Sequence, residues 1–289
     1  MRQFITEFAS NAVPRLEVRL LLSHVLSRSS AWLAAHDDHE IAPDDESALR
    51  LAVSRRAAGE PIAYIIGYRE FYSREFKCSP AALIPRPETE LLVEQVLALT
   101  PAPSRGGTGW GSGSVDVQPP PRILDIGTGT GCIAITLALE LPNAKVTALD
   151  ISRDALALAR ANASALGAKI EFLESDWFSV IAEDAQFDII VSNPPYIVPN
   201  DPHLFQGDLR FEPWLALQDR GDGLQSYREL AAGAKKHLRE GGLLIVEHGY
   251  DQGESVPALF REAGFESVEM IRDLAGQPRI TRCKKQLLD

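Results

Sequence analysis

The chain is short of cysteine, of positive charge and of long hydrophobic runs, and each shortage excludes a class of protein. Its three cysteines, Cys78, Cys132 and Cys283, lie far apart and form neither a Cys-x-x-Cys pair nor an even-numbered framework. Neither a disulfide scaffold nor a zinc site is indicated. No uninterrupted apolar stretch reaches the ~18 residues that span a bilayer. The first twenty residues, MRQFITEFASNAVPRLEVRL, carry charges where a signal peptide has its apolar centre. The expectation is a soluble, cytoplasmic chain with no membrane partner. His36-Asp37-Asp38-His39-Glu40 has the side chains of a metal site, but it sits between two helical patterns and reads as a solvated loop.

Lys and Arg number 29 against 40 Asp and Glu, a formal net charge of -11. Residues 1 to 80 are nearly neutral, with 10 bases and 11 acids, so residues 81 to 289 carry -10. Non-specific affinity for nucleic acid depends on Lys and Arg neutralising phosphates, and an acidic main domain is poorly matched to that partner. The basic run Arg279 to Lys285 (RITRCKK) is expected to be an exposed edge strand blunted by charge.

What is present is a globular composition, 45% hydrophobic and 24% charged over 289 residues, enough for one large or two ordinary domains. Residues 14 to about 59 show helical periodicity. Their last segment, PDDESALRLAVSRRAAG, has acids first, arginines last and Gly59 as its stop. Tyr68 to Ser79 approach a two-residue alternation that predicts a hairpin connector. The start of the helix ELLVEQVLAL is marked by Pro87 and two acids. Residues 101 to 121 are dominated by Gly, Pro and Ser, and are expected to form a disordered insertion without chemistry.

From Arg122 onward strand and helix patterns alternate, which predicts an α/β fold with a doubly wound, mainly parallel sheet and ligands at the carboxyl ends of its strands. The segment from Leu124 to Gly131 (LDIGTGTG) runs from strand into helix. Its three glycines permit a tight turn and close approach of backbone to ligand. The next strand ends in Asp150, 19 residues beyond Gly131, where a carboxylate can accept both hydroxyls of a ribose. Together they indicate a nucleoside-containing cofactor and leave NAD and S-adenosylmethionine both open. The third strand ends in Glu174-Ser175-Asp176-Trp177, where an aromatic ring can pack on an adenine or half-fill a core.

The fourth strand ends in Asn193-Pro194-Pro195-Tyr196. Two prolines end the strand and stiffen the backbone beyond it. A rigid turn alone needs neither the Asn nor the Tyr. The Asn193 side-chain oxygen and the Pro194 carbonyl can accept both N-H bonds of a planar amide or amino group, with Tyr196 packed flat against it. Such a site would present that nitrogen to an activated methyl group by positioning alone.

With these motifs in view the chain resembles the HemK/PrmC family, S-adenosylmethionine-dependent methyltransferases of peptide chain release factors. The resemblance spans nearly the whole chain: GEPIAYIIGYREF, LIPRPETELLVEQ, DIGTGTGCIAI, SDWF, SNPPYI, FEPWLAL, DGLQSYREL and EHGYDQGE. It implies a class I, Rossmann-like methyltransferase fold that acts on the glutamine of the Gly-Gly-Gln motif in bacterial class I release factors. It also implies a helical N-terminal substrate-docking domain over 1–66, a hairpin linker over 67–85 and a methyltransferase domain over 86–289. It assigns Gly127, Thr128, Gly129, Thr130, Gly131, Asp150, Trp177 and Asn193 to S-adenosylmethionine, and Asn193, Pro194, Pro195 and Tyr196 to the substrate amide, with no metal. Phe211-Glu212-Pro213 and Arg86-Pro87-Glu88 are expected to shape the pocket wall. The expected partner is a release factor, with no direct nucleic-acid contact, and the expected state is a monomer. Rival expectations are a glutamine methyltransferase acting on a ribosomal protein, an amino-methylating DNA or RNA enzyme, an NAD-dependent oxidoreductase, and a silent docking module.

Overall fold

The computed structural model describes residues 1–9, 13–100 and 119–287. Nearly all of the expected 101–121 insertion therefore lies outside the described residues. Five helices lead the chain: α1 (Arg2–Phe8), α2 (Arg15–Val25), α3 (Ser30–Ala35), α4 (Pro43–Ala57) and α5 (Ile62–Ile66). Helix α2 turns Val18, Leu21 and Leu22 inward against Leu49 and Val53 of α4 and Phe4 and Ile5 of α1, forming one small core. Three acids in the first turn of α4 and two arginines in its last complement the helix dipole, and Gly59 comes next but one at φ +91°. Helices α1 and α5 lie outside residues 14 to 59, where helical periodicity is legible in the sequence. His36 stacks on Trp32 in an exposed loop, and no described group of three or more His, Cys, Asp or Glu is arranged to hold a metal.

Strands β1 (Tyr68–Phe71) and β2 (Arg74–Lys77) form the anticipated hairpin. Its two-residue turn, Tyr72-Ser73, has both φ angles positive, as the right-handed twist of the paired strands favours. Phe71 and Phe76 carry the hairpin into the core of the large sheet. Helix α6 (Glu90–Leu99) is begun by a 3-10 turn at Pro87–Thr89.

The second body comprises β3 (Arg122–Ile126), α7 (Cys132–Glu140), β4 (Lys145–Asp150), α8 (Arg153–Leu166), β5 (Glu171–Glu174), β6 (Phe187–Ser192), α9 (Trp214–Leu217), α10 (Gln225–His237), β7 (Leu238–Glu247), α11 (Ser255–Glu262), β8 (Phe265–Arg272) and β9 (Pro278–Lys285). The sheet order is β5-β4-β3-β6-β7-β9-β8, with β3 to β7 parallel and β9 antiparallel to both neighbours. Helices α6, α7 and α8 cover one face over Ile123, Val146, Ile189, Val191 and Ile245. Helices α10 and α11 cover the other over Leu124, Leu149, Ile190, Leu244 and Val246. The central strands are buried on both faces, which is why FDIIVS reads as a continuous apolar run rather than an alternation.

The basic run Arg279 to Lys285 is not the edge strand expected of it. As β9 it lies between β7 and β8, with Ile280, Thr281 and Cys283 buried. Three of its four cations are met by neighbours: Arg279 donates to Asp273, Arg282 to Glu269 and Gln95, and Lys285 to the Leu238 carbonyl. Cross-strand pairing, not exposure, accounts for the charge.

Candidate active site

Because β3 to β6 run parallel, their carboxyl ends meet along one edge of the sheet, and a cavity of about 410 Å³ opens there. It is lined by Gly127 to Thr130 of the glycine loop, Asp150 to Ser152, Ser175 to Trp177, and Ser192 to Pro195, with Gly131 outside the lining. The linker stretch Ala81 to Arg86, with Thr89, closes another side.

The glycine loop is held from below. Gly127 and Thr128 both donate backbone N-H bonds to the Leu149 carbonyl, at 2.9 and 2.8 Å, and the Thr128 hydroxyl donates to Asp125 at 2.6 Å. Asp125 is fully buried, and burial pushes its pKa up to about 7 against the opposing hydrogen bond. Gly127 and Gly131 both need the left-handed conformation, at φ +72° and +82°. A Cβ on Gly127 would meet nothing within 4 Å, whereas one on Gly131 would press on Ile135 and Ala159. The first glycine leaves room for a ligand, and the third lets α7 pack against α8.

Asp150 sits at the end of β4 with Oδ2 accepting from the Gly129 N-H and Oδ1 from the Ser152 N-H, each at 2.9 Å. Burial raises its pKa, and those two bonds oppose the rise. Each oxygen keeps a second lone pair for a hydroxyl donor. Trp177 is held at φ +50° while the Ser175 hydroxyl donates to its carbonyl at 2.7 Å. A non-glycine residue in that region is strained, and here the strain sets an aromatic side chain into the cavity wall.

At the end of β6, Asn193, Pro194 and Pro195 line the cavity. Asn193 donates through Nδ2 to the Thr89 hydroxyl at 3.2 Å. The Ser226 hydroxyl, shared with Asp219, donates to the Pro195 carbonyl at 2.7 Å, fixing the second proline. Tyr196 lies differently: it packs into the core under α10 and is not part of the cavity lining. Burial carries its phenol pKa well above the usual value.

Four supporting residues were missed by sequence reasoning. Asn162 of α8 accepts from the Lys77 N-H and donates to the Thr130 and Lys77 carbonyls, tying the hairpin to the glycine loop. Asp219 gathers the backbone N-H groups of Gly221, Gly223, Gln225 and Ser226 beside the second proline. Thr89 and Glu247 close in behind Asn193. Asp219 had a local signal, an acid opening a glycine-rich turn, and Thr89 and Glu247 lie in the segments LIPRPETELLVEQ and EHGYDQGE, whereas Asn162 had none. The two wall segments that sequence reasoning did single out meet each other: Glu212, buried, accepts from the Ile84 N-H at 2.9 Å and pairs with Arg86.

A parallel sheet with one antiparallel strand between its last two neighbours, a glycine loop over its middle strand and a cavity at the strand ends define a Rossmann-like, class I methyltransferase fold. Residues 1–67 match the family model of the PrmC N-terminal domain, and residues 114–205 that of the methyltransferase small domain. The release factor glutamine methyltransferase of Bordetella pertussis is 48% identical over 273 residues, covering 94% of this chain and 96% of that protein. That of Neisseria gonorrhoeae is 48% identical over 272 residues, covering 93% of each. Among solved structures, the T. thermophilus 16S rRNA N2 G1207 methyltransferase in complex with AdoMet and guanosine matches with a TM-score of 0.51 at 18% identity, over 76% of this chain and 50% of that one. The chain belongs to the release factor glutamine methyltransferase family.

Proposed function

We infer that this chain transfers a methyl group to the side-chain amide nitrogen of the glutamine in the Gly-Gly-Gln motif of class I peptide chain release factors, using S-adenosyl-L-methionine. The relatives' shared name supports the substrate. The observation that carries the chemistry is the placing of Asn193 and Pro194 on the same cavity as Asp150 and the glycine loop.

The cavity fits the cofactor. A Cβ at Gly127 would fall in open space, and Asp150 keeps acceptor lone pairs for two ribose hydroxyls. Gly127 to Gly131 would hold the methionine and ribose region, and Trp177 would face the adenine. When bound, S-adenosylmethionine supplies an electrophilic methyl group on a sulfonium centre. An amide nitrogen is a weak nucleophile because its lone pair is delocalised. The Asn193 side-chain oxygen and the Pro194 carbonyl would therefore hold both N-H bonds and turn the nitrogen's face toward the methyl, with the backbone stiffened by proline. Neither acceptor is basic, so they orient the N-H hydrogens, and the proton that the newly methylated nitrogen must lose would pass to water. Tyr196, behind the loop, would set its shape more than touch the amide plane.

The helical unit over 1–66 would dock the release factor, with 67–85 as linker and 86–289 as the methyltransferase domain. Arg56 of α4 already pairs with Asp208 near the cavity at 2.8 Å. The same reading extends to a cytoplasmic monomer that meets its substrate through protein contacts. A net charge of -11 suits no nucleic-acid backbone, and no described helix is long and apolar enough to cross a membrane. The test is incubation with S-adenosylmethionine and an unmodified release factor, mapped by tandem mass spectrometry beside Asn193→Ala. One added methyl on the Gly-Gly-Gln glutamine, lost in the variant, is expected; binding of the cofactor with no methylation would overturn the substrate.

A further inference from the structure

Behind Asn193 lies a charged group that methyl transfer by positioning does not itself require. The register pairs Ser192 of β6 with Val246 of β7, so the next residues, Asn193 and Glu247, stand side by side. Strand alternation puts both side chains on the α6 face, under the turn that carries Thr89. Glu247 is 2% exposed, and its Oε2 has no hydrogen-bond partner. Its carboxyl faces the side chains of Thr89 and Asn193, whose hydrogen-bonding groups favour its charged form. The groups facing it are Glu88 and Thr89 ahead of α6, Asn193 and Tyr196 after β6, Tyr227 of α10 and Arg279 of β9. Arg279 is itself paired with Asp273, and the Tyr227 hydroxyl donates to the Glu247 backbone carbonyl at 3.1 Å.

We propose that Glu247, with Thr89, is a positioning residue that sets which way round the Asn193 amide sits. This deepens the reading of Asn193 as the substrate-amide acceptor and rests on it. An ionised carboxylate accepts only: it would take the Thr89 hydroxyl proton and leave that oxygen to accept from Asn193, as it does at 3.2 Å. Both bonds therefore demand the NH2 end of Asn193, and Oδ1 is turned toward the cavity, where a substrate N-H is to be received. A protonated Glu247 carries a donor of its own and no longer demands the NH2 end. The amide is then free to invert and meet the substrate with the wrong end. Burial pushes the Glu247 pKa up to about 7, so this exchange falls in a range that can be titrated.

The first readout needs no substrate. In protein labelled with 15N, the Asn193 side-chain NH2 resonances should move with pH around a midpoint near 7, and Glu247→Gln should abolish that titration. Resonances that ignore pH from about 6 to 8 in the wild type would overturn the proposal. The second readout is turnover on the release factor. Glu247→Gln and Thr89→Val should each lower kcat by roughly 10- to 100-fold, the scale of a misplaced reacting group, with cofactor affinity held. Thr89→Ser, which keeps the hydroxyl, should recover the rate, and the acid limb of the wild-type pH profile should vanish in Glu247→Gln. Unchanged kcat in both disabling variants would overturn the proposal, and retained cofactor affinity certifies that they fold. A wild type that shows the NH2 titration but methylates no release factor would instead overturn the substrate and leave the positioning role standing.

Discussion

Exchanging the first and third glycines of the loop for alanine should have opposite consequences. Both sit in the left-handed region, so either Cβ brings a backbone cost of about 1 to 2 kcal/mol. At Gly131 the new Cβ would also lie 2.8 Å from Ile135 Cδ1, 3.2 Å from Ala159 Cβ and 3.4 Å from Ala159 Cα. The isoleucine tip can turn, but the α8 backbone cannot, and overpacking of this kind costs roughly 1 to 3 kcal/mol more. Gly131→Ala should therefore lose about 2 to 5 kcal/mol in urea unfolding. At Gly127 the Cβ meets no protein atom and projects into space where the cofactor is to lie. Gly127→Ala should lose only about 1 to 2 kcal/mol of stability, while its affinity for S-adenosylmethionine in calorimetry falls by roughly tenfold or more, each tenfold being about 1.4 kcal/mol. Equal destabilisation by the two substitutions, or full cofactor affinity in Gly127→Ala, would refute the division of labour between the glycines.

The buried polar groups carry the other expected outcomes. Asn162→Ala strands the Lys77 N-H and two carbonyls, and should cost roughly 2 to 4 kcal/mol together with cofactor affinity, seen in unfolding and calorimetry. Arg86→Ala leaves the Glu212 carboxylate buried and unpaired; about 2 to 4 kcal/mol should be lost, with Glu212→Gln milder because its side chain is neutral. Asp125 and Glu247 both have pKa values raised to about 7, so between their ordinary range and pH 7 the folded state binds more protons than the unfolded. Their contribution to stability accordingly declines as pH rises from about 5 to 8. Glu247→Gln removes one of these groups, and its stability relative to the wild type should improve over that range by up to ~3 kcal/mol, read from urea midpoints at the two pH values.

Local chemistry made much of this protein legible without coordinates. The helix of residues 43–57 announced itself by acids, arginines and a glycine stop, and the hairpin by its alternation. The parallel strands appeared as apolar runs separated by helical periods, because each is buried on both faces by the elements that its own connections supply. Glycine spacing and the Asn-Pro-Pro run marked the cavity for the same reason: backbone freedom and backbone rigidity are properties of residue type.

Pairing across distance decided the rest. Whether RITRCKK is an edge or an inner strand depends on β8 crossing to its far side, and no pattern within those few residues records that. Tyr196 shares its motif with Asn193, yet turns into the core because strand and loop geometry, not adjacency, set where a side chain goes. Asn162 looks like an ordinary surface polar residue in sequence, and Glu212 and Glu247 are marked there only by the segments that hold them. Their weight comes from burial against groups 85 residues away for Asn162, 126 to 128 for Glu212, and 54 (247 − 193) and 158 (247 − 89) for Glu247, where low dielectric makes each polar contact matter. Residue types and their spacing thus determined the elements and the location of the chemistry. Only the packed structure determined which buried carboxylate stands behind the amide and which way round that amide is held.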